Sequence, residues 1–420
     1  MFALAAHHIV LRVAWIFKTE SVIMPAFLDA IVPGAQLQGL LRGCLPILNR
    51  FGQSIPPLYF AERLRDAHRK KWSLMLTTVL MGVPFLILSA TWFALENKQT
   101  FWLPVLFLAL YTLFFMMTGL NQLCFATLQG KLIRADRRGR LLGISGLVGA
   151  GCSIVCAWFL LQRWLAISDN GAGEVGGFGY IFGFAGVGFL LSGLLVFGVA
   201  EPADPPKSKR RTGENQFREA WRLLRRDRNF RKLAVVGMLF TSMQLLFPHY
   251  QALGRSLLDL DRAELGFHLM LWVIAQNAGA GLFSILAGML ADRFGNRLAI
   301  RIESFLAASA PIWAVLVTRD WFPHGEKLFW ISFFLLSLVP VTMKTMVNYA
   351  LELGKPEDHP RYISTLKLAM AVPFLLSPLV GWLGTIVGFE TIFIVICVAI
   401  AAAGFLTFGL DEPRHRILGD

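Results

Sequence analysis

The sequence predicts an all-α integral membrane protein: twelve transmembrane helices arranged as two pseudo-symmetric six-helix bundles. Three observations predict it. Of 420 residues, 55% are hydrophobic and only 16% are charged, which leaves too little polar surface for a soluble chain of this size. Apolar runs of about 20 residues recur along the whole chain, the length that crosses a ~30 Å hydrocarbon core as a helix. One long hydrophilic run, Glu201 to Lys232, interrupts the pattern and carries eleven Lys/Arg against five Asp/Glu. The predicted organisation is a first bundle at 1–200, a basic cytoplasmic linker with an amphipathic helix at 201–231, and a second bundle at 232–420.

The spans are expected at 9–32, 36–60, 72–96, 101–128, 141–164, 178–200, 232–254, 264–290, 298–318, 327–351, 361–384 and 388–410. Trp72, Trp92, Trp102, Trp164, Trp321 and Trp330 fall near predicted ends, where indole rings favour the interface. The glycine sets Gly143, Gly146 and Gly149, and Gly179, Gly183 and Gly186, read as close helix contacts. Orientation follows from the basic residues. Loops 61–71 and 130–140 hold five Lys/Arg each, and with the central run they share one side. Both termini and the linker are therefore expected in the cytoplasm, in the inner or plasma membrane of the cell. Within the linker, Pro202, Pro205 and Pro206 make a non-helical spacer. Phe217, Ala220, Trp221, Leu224 and Phe230 then recur at near-helical spacing among arginines, a pattern suited to an anionic lipid surface and not to nucleic acid. Five cysteines lie in apolar stretches without the partners a zinc site needs, so no metal and no cofactor are expected.

The two halves read as copies of one six-span unit. FKTESVIMPAF in the first span resembles LFTSMQLLFPHY in the seventh, each with a proline after a polar cluster. RGRLLGISGLVGAGCSIVCAW aligns loosely with RYISTLKLAMAVPFLLSPLVGW. Internal duplication with a cytoplasmic linker is a transporter architecture.

GMLADRFGNR, Gly288 to Arg297, closes the eighth span. It resembles the G-x-L-a-D-r-x-G-r-r signature that major facilitator superfamily transporters carry between the second and third spans of a half. The first-half equivalent is degenerate, offering Glu62 or Asp66 with no glycine, and RRGR before the fifth span supplies Arg138 or Arg140 as partners. The resemblance implies a gating latch of Gly288, Asp292, Arg293, Gly295, Arg297 and Arg361. Gly288 would let the eighth and eleventh helices approach, Gly295 would permit the turn, and Asp292 would cap the eleventh helix and pair with Arg361. The resemblance also implies a cavity lined by spans 1, 2, 4, 5, 7, 8, 10 and 11.

Polar residues deep in those spans are costly and are binding candidates. They are Lys18, Glu20, Asn49, Arg50, Asn121, Gln122, Gln244, Gln276, Asn277, Lys344 and Lys367. Lys18 and Glu20, two positions apart in the first span, point to different helical faces and cannot pair directly. The expected pair is therefore Glu20 with Arg50, leaving Lys18 for an anionic group. Arg301 and Glu303 are read as part of a cytoplasmic gate.

The function expected is secondary active transport of a small anionic or polar solute by alternating access, not enzymatic catalysis, in a monomer whose partners are the solute, membrane lipid and a coupling proton. Export of apolar or cationic drugs is the alternative, with the many phenylalanines as a pliable wall. A non-transporting membrane sensor or lipid-modifying enzyme is the alternative of another class.

Overall fold

The computed structural model describes residues 2–133, 135–167, 176–202, 216–257, 262–319, 322–354 and 358–412. Among them the chain is helical, with no strand. In order, the helices are α1 (Phe2–Ile16), α2 (Ile23–Ile31), α3 (Ala35–Asp66), α4 (Lys70–Ala94), α5 (Trp102–Leu132) and α6 (Ala135–Cys156). They continue with α7 (Phe178–Leu195), α8 (Gln216–Arg226), α9 (Arg228–Thr241), α10 (Phe247–Leu257), α11 (Arg262–Phe294) and α12 (Asn296–Leu316). The last are α13 (Trp330–Leu336), α14 (Leu338–Leu353), α15 (His359–Ala371), α16 (Ser377–Val387) and α17 (Phe389–Leu406). Among the described residues, ten helical stretches are long and apolar enough to cross a membrane, and Phe2–Ile16 is a shorter apolar helix.

Several expected spans are not continuous helices. The first breaks between α1 and α2, the seventh passes through a 3-10 turn at Ser242–Leu246, and the eleventh through one at Val372–Leu376. Proline explains where each restarts. Pro25, Pro248 and Pro378 all sit in the first turn of the second piece, where no backbone N–H is required and the preceding turn cannot be α-helical. The fifth span stays helical but widens into a π segment at Ala157–Leu161. The two sequence passages that align between the halves are thus repeats of a break or of a distortion.

Two compact units emerge: Met1–Lys209 with Leu258–Ile274, and Arg210–Leu257 with Ala275–Asp420. This differs from the expected partition, because the start of α11 joins the first unit. Gly266 allows it; a Cβ there would lie 3.2 Å from the backbone at Leu165 and Ala166.

In the first unit α4 lies along α7, α3 along α5, and α1 between α6 and α7. Gly179, Gly183 and Gly186 are the close contacts expected, facing Phe93, Ser89 and Leu86 of α4. Of the other set only Gly149 packs, against Arg12, while added methyls at Gly143 and Gly146 would meet open space. The core is aromatic, with Phe27 touching Trp92, Phe107, Phe178 and Phe182. In the second unit α12 lies along α17 and α14, and α9 along α15 and α17. The α4–α7 pairing of the first unit is therefore matched by α12–α17 in the second. Helix α8 buries Ala220 and Leu223 and exposes Trp221, over whose ring Arg225 sits at 4.9 Å. Phe217 falls outside the described side chains.

Candidate functional site

The break after α1 creates the central polar feature of the first unit. Thr19 closes the chain on itself: its Oγ1 donates to the Ile16 carbonyl at 2.6 Å, and its own carbonyl accepts from the N–H of Ile23 at 2.9 Å and of Met24 at 3.2 Å. With the backbone satisfied locally, the side chains of Lys18 and Glu20 turn toward one another. Lys18 Nζ donates to Glu20 Oε1 at 2.7 Å. The expectation that these two cannot meet is wrong, because residues 17–22 are not helical and the face rule does not apply there. Lys18 is 1% exposed and sits 3.4 Å over the Trp15 ring, with Phe114 and Phe115 at 5.0 and 4.7 Å. A desolvated ammonium gains about 2 kcal/mol from such a ring. It is a neutralised, enclosed cation in this structure, not an open one.

From Glu20 the hydrogen bonds run outward. Asn49 Nδ2 donates to Glu20 Oε2, Gln53 Nε2 donates to Asn49 Oδ1, and Gln122 Nε2 donates to Gln53 Oε1 at 3.3 Å. Tyr111 hydrogen-bonds the Asn49 side chain. The chain begins at a buried lysine and ends at exposed Gln122. The sequence sets this up through two glycines. A Cβ at Gly119 would lie 2.3 Å from the Gln53 carbonyl oxygen, and one at Gly52 would lie 2.9 Å from Phe115 Cβ. Helices α3 and α5 therefore cross backbone to backbone, which brings Gln53 against Gln122. The bonds given to the Glu20 carboxylate come from Lys18 and Asn49, where the sequence led to the expectation of Arg50. With Asn49 facing Glu20, the next residue of α3 points about 100° away.

The other expected site residues distribute as follows. Asn121 is buried and donates to Thr78 Oγ1 at 2.6 Å, joining α5 to α4. Arg42 Nη1 donates to both carboxylate oxygens of Asp29, at 2.9 and 2.8 Å, which fastens α3 to α2. In the second unit Gln244, inside the 3-10 turn, donates to Met343 Sδ at 2.9 Å. Gln276 and Asn277 are half-buried on α11, while Lys344 and Lys367 are exposed on α14 and α15.

At the signature loop, Gly295 has φ +89° as the turn requires, and Glu412 Oε1 lies 3.0 Å from where its Cβ would be. Gly288 is not a contact point, since an added methyl there would meet nothing. The close approach on α11 is at Gly279, against Ser337 Oγ and the Phe334 carbonyl. Asp292 and Arg293 are exposed, Arg293 with its guanidinium 5.2 Å from the Phe294 ring, and Arg297 is half-buried. No ion pair joins Asp292 to Arg361, whose Nε is buried without a hydrogen-bond partner. Glu62, Asp66, Arg138 and Arg140 fall outside the described side chains.

Sequence reasoning missed Gln53, Tyr111 and Glu201. Gln53 is one helical turn from Asn49 on the same face of α3, which is a legible signal. The Glu201 side chain is fully buried and accepts from the N–H of Lys70 at 3.0 Å, the N–H of Lys71 at 2.8 Å and Lys131 Nζ at 2.7 Å. It caps α4 and ties the ends of α5 and α7 to it. Burial alone would raise its carboxyl pKa, but the bonds from Lys131, Lys71 and Lys70 outweigh it and hold the group below the ordinary carboxylate range. The repeated Glu-Pro pairs, Glu201-Pro202 and Glu412-Pro413, are the signal in sequence.

The family model for the Major Facilitator Superfamily matches residues 58–275 and again 252–419. The chain belongs to the major facilitator superfamily. Members of this superfamily are membrane transporters, so the protein is a transporter and not an enzyme. Among solved structures it is similar to the nucleoside transporter NupG in a mutant form, with a TM-score of 0.70, 11% identity, and 98% of this chain and 99% of that one covered. It is similar to a D-xylose-proton symporter, with a TM-score of 0.69, 15% identity and 98% of each chain covered. It is also similar to a POT family transporter in complex with 5-aminolevulinic acid, with a TM-score of 0.70, 14% identity, and 98% and 96% covered. No curated protein matches it in sequence. At such identities the likeness concerns the fold.

Proposed function

We propose that this superfamily member is a proton-coupled secondary transporter for a small polar or anionic solute, working by alternating access through twelve spans in two six-helix bundles with both termini cytoplasmic. The observation that carries the reading is the polar chain Lys18–Glu20–Asn49–Gln53–Gln122 in the broken first span. A chain of hydrogen-bonding groups that starts at a buried ion pair and ends at an exposed amide suits a hydroxylated or charged solute, because deep polar groups are retained in membranes for function. Gln244, Gln276, Asn277, Lys344 and Lys367 supply the polar positions of the other half. Of the phenylalanines offered for apolar cargo, Phe27, Phe107, Phe114, Phe115, Phe178 and Phe182 are packed inside the first unit and closed to a solute, which disfavours drug export. The signature residues Gly288, Asp292, Arg293, Gly295, Arg297 and Arg361 serve gating, with the Asp292–Arg361 pair belonging to a state other than the one described.

The test is uptake of labelled sugars, nucleosides, peptides and organic acids into vesicles holding the purified protein, with and without an imposed pH gradient. Asn49→Ala and Gln53→Ala are expected to raise KM about tenfold each, the loss of ~1.4 kcal/mol of binding. Export of lipophilic cations with no uptake of any polar solute would overturn the reading.

A further inference from the structure

Glu303 is 4% exposed, seven residues into α12, about 10 Å from that helix's first residue. It faces α14 in an antiparallel register fixed at two points. Thr345 Oγ1 lies 3.2 Å from Glu303 Oε1, and Asn296 Nδ2 donates to Glu352 Oε1 at 2.9 Å. Glu303 Oε2 is buried without a well-formed hydrogen bond, the nearby Thr342 hydroxyl donating instead to the Leu338 carbonyl at 3.0 Å. Its place is the interior of the second unit.

The charged and titratable groups of the surrounding helices are engaged elsewhere or lie apart. On α12 itself, Arg297 is half-buried nearly two turns before Glu303, and Arg301 bonds Thr407 and covers the Phe408 ring at 3.8 Å. On α14, Lys344 is exposed on the neighbouring face, Tyr349 bonds Asn229 and Asp411, and Glu352 holds Asn296. On α17, Cys397 bonds the Ala308 carbonyl and Glu390 pairs with Arg319 beyond the far end of α12. On α10, His249 stacks on Phe389, Tyr250 lies against Phe393, and Arg255 is one turn further on. Helix α13 and the Thr407–Gly409 turn carry no titratable side chain. An ionised carboxylate at this depth would be a buried charge without a counter-ion, which costs several kcal/mol.

The hydroxyl opposite it accommodates either protonation state. Thr345 Oγ1 is 3.2 Å from Glu303 Oε1 and 3.3 Å from the Val341 carbonyl, with one hydrogen to give. When Glu303 is ionised, Thr345 donates to it. When Glu303 is protonated, its O–H donates to Thr345 Oγ1, and the threonine hydrogen turns to Val341. We propose that Glu303 is a proton-binding residue of the second unit and that its proton is the one coupled to transport. This rests on the proton-coupled reading above, and the two fail separately.

Infrared difference spectra between the full-length protein and Glu303→Gln test the site without any substrate. A carboxylic-acid band at pH 7, moved to higher frequency by Thr345→Val, is the expected result; its absence overturns the site. In vesicles, Glu303→Gln is expected to reduce pH-gradient-driven uptake at least about tenfold while leaving gradient-free exchange intact. Unchanged driven uptake in the variant overturns the coupling role even if the band is present. Wild-type uptake indifferent to the gradient, with the band present, refutes proton-coupled transport and the coupling role with it, while supporting the proton-binding assignment.

Discussion

Lys18 and Glu20 show what a single residue decides. Alone, the ammonium would be an enclosed cation; with Glu20 at 2.7 Å and the Trp15 ring beneath, it is compensated. Glu20→Gln should therefore cost about 2–4 kcal/mol of stability by leaving that charge buried. Adding Lys18→Met should recover most of the loss, since a double neutral replacement removes the uncompensated charge. Thermal unfolding in detergent reads both; a double variant less stable than the single one would refute the pairing energetics. Glu201 gives a pH signature. Its carboxyl is held below the ordinary carboxylate range of about 4.3, so its contribution is complete above that range and disappears as pH falls through the lowered value. Glu201→Gln is thus expected to destabilise by ~2 kcal/mol at pH 7, with the gap closing below about pH 4; a gap that stays constant with pH would reject this account. The sequence made the importance of Lys18 and Glu20 legible through depth and cost. It did not reveal their contact, because hydropathy does not register that residues 17–22 leave the helix. Glu201 was hidden by its setting in a hydrophilic run, where a buried carboxylate is the exception.

Helices are where the sequence was read best and where one kind of error concentrates. Apolar length placed nearly every span, since crossing the membrane fixes length through composition. Continuity was the error: the first, seventh and eleventh spans break, each with a proline in the first turn of the restart, and the tenth is interrupted at Ser337. Close approaches divide similarly. Gly179, Gly183 and Gly186 pack as read, whereas Gly288 meets open space and Gly279, unremarked in the sequence, touches Ser337. Glycine spacing alone does not say which face meets a neighbour. The α3–α5 crossing provides the test at this scale. Gly119→Ala would put a methyl 2.3 Å from the Gln53 carbonyl oxygen, and overpacking of backbone against backbone costs roughly 1–3 kcal/mol or more. The two helices must separate, so the Gln122–Gln53 bond should open. Thermal stability and solute KM are expected to worsen together; a variant as stable as the wild type, with unchanged KM, would show that the crossing does not position the polar chain.

At the scale of the whole molecule, two features suit the expected duplication: the α4–α7 pairing recurs as α12–α17, and Glu201 stands to the start of α4 much as Glu412 stands to Gly295 before α12. The sequence showed the repeat only faintly because packing needs size and polarity more than identity. The orientation expected from charge becomes testable through the geometry of α4. This helix has 25 residues and so spans about 38 Å, more than the ~30 Å hydrocarbon core. Ala67 precedes it and Asn97 follows it, so the two must lie on opposite sides of the membrane. From the five Lys/Arg in 61–71 and the five in 130–140, Ala67 and Ala135 are both expected on the cytoplasmic side. Cysteine introduced at Ala67 or Ala135 is expected to react with an impermeant maleimide only in inside-out vesicles, and cysteine at Asn97 only in right-side-out ones. Reaction of all three from one side would break the assignment of α4 as a span. The mirror-image pattern would keep the span and reverse the molecule, placing Glu201 and its Lys131 partner outside the cell.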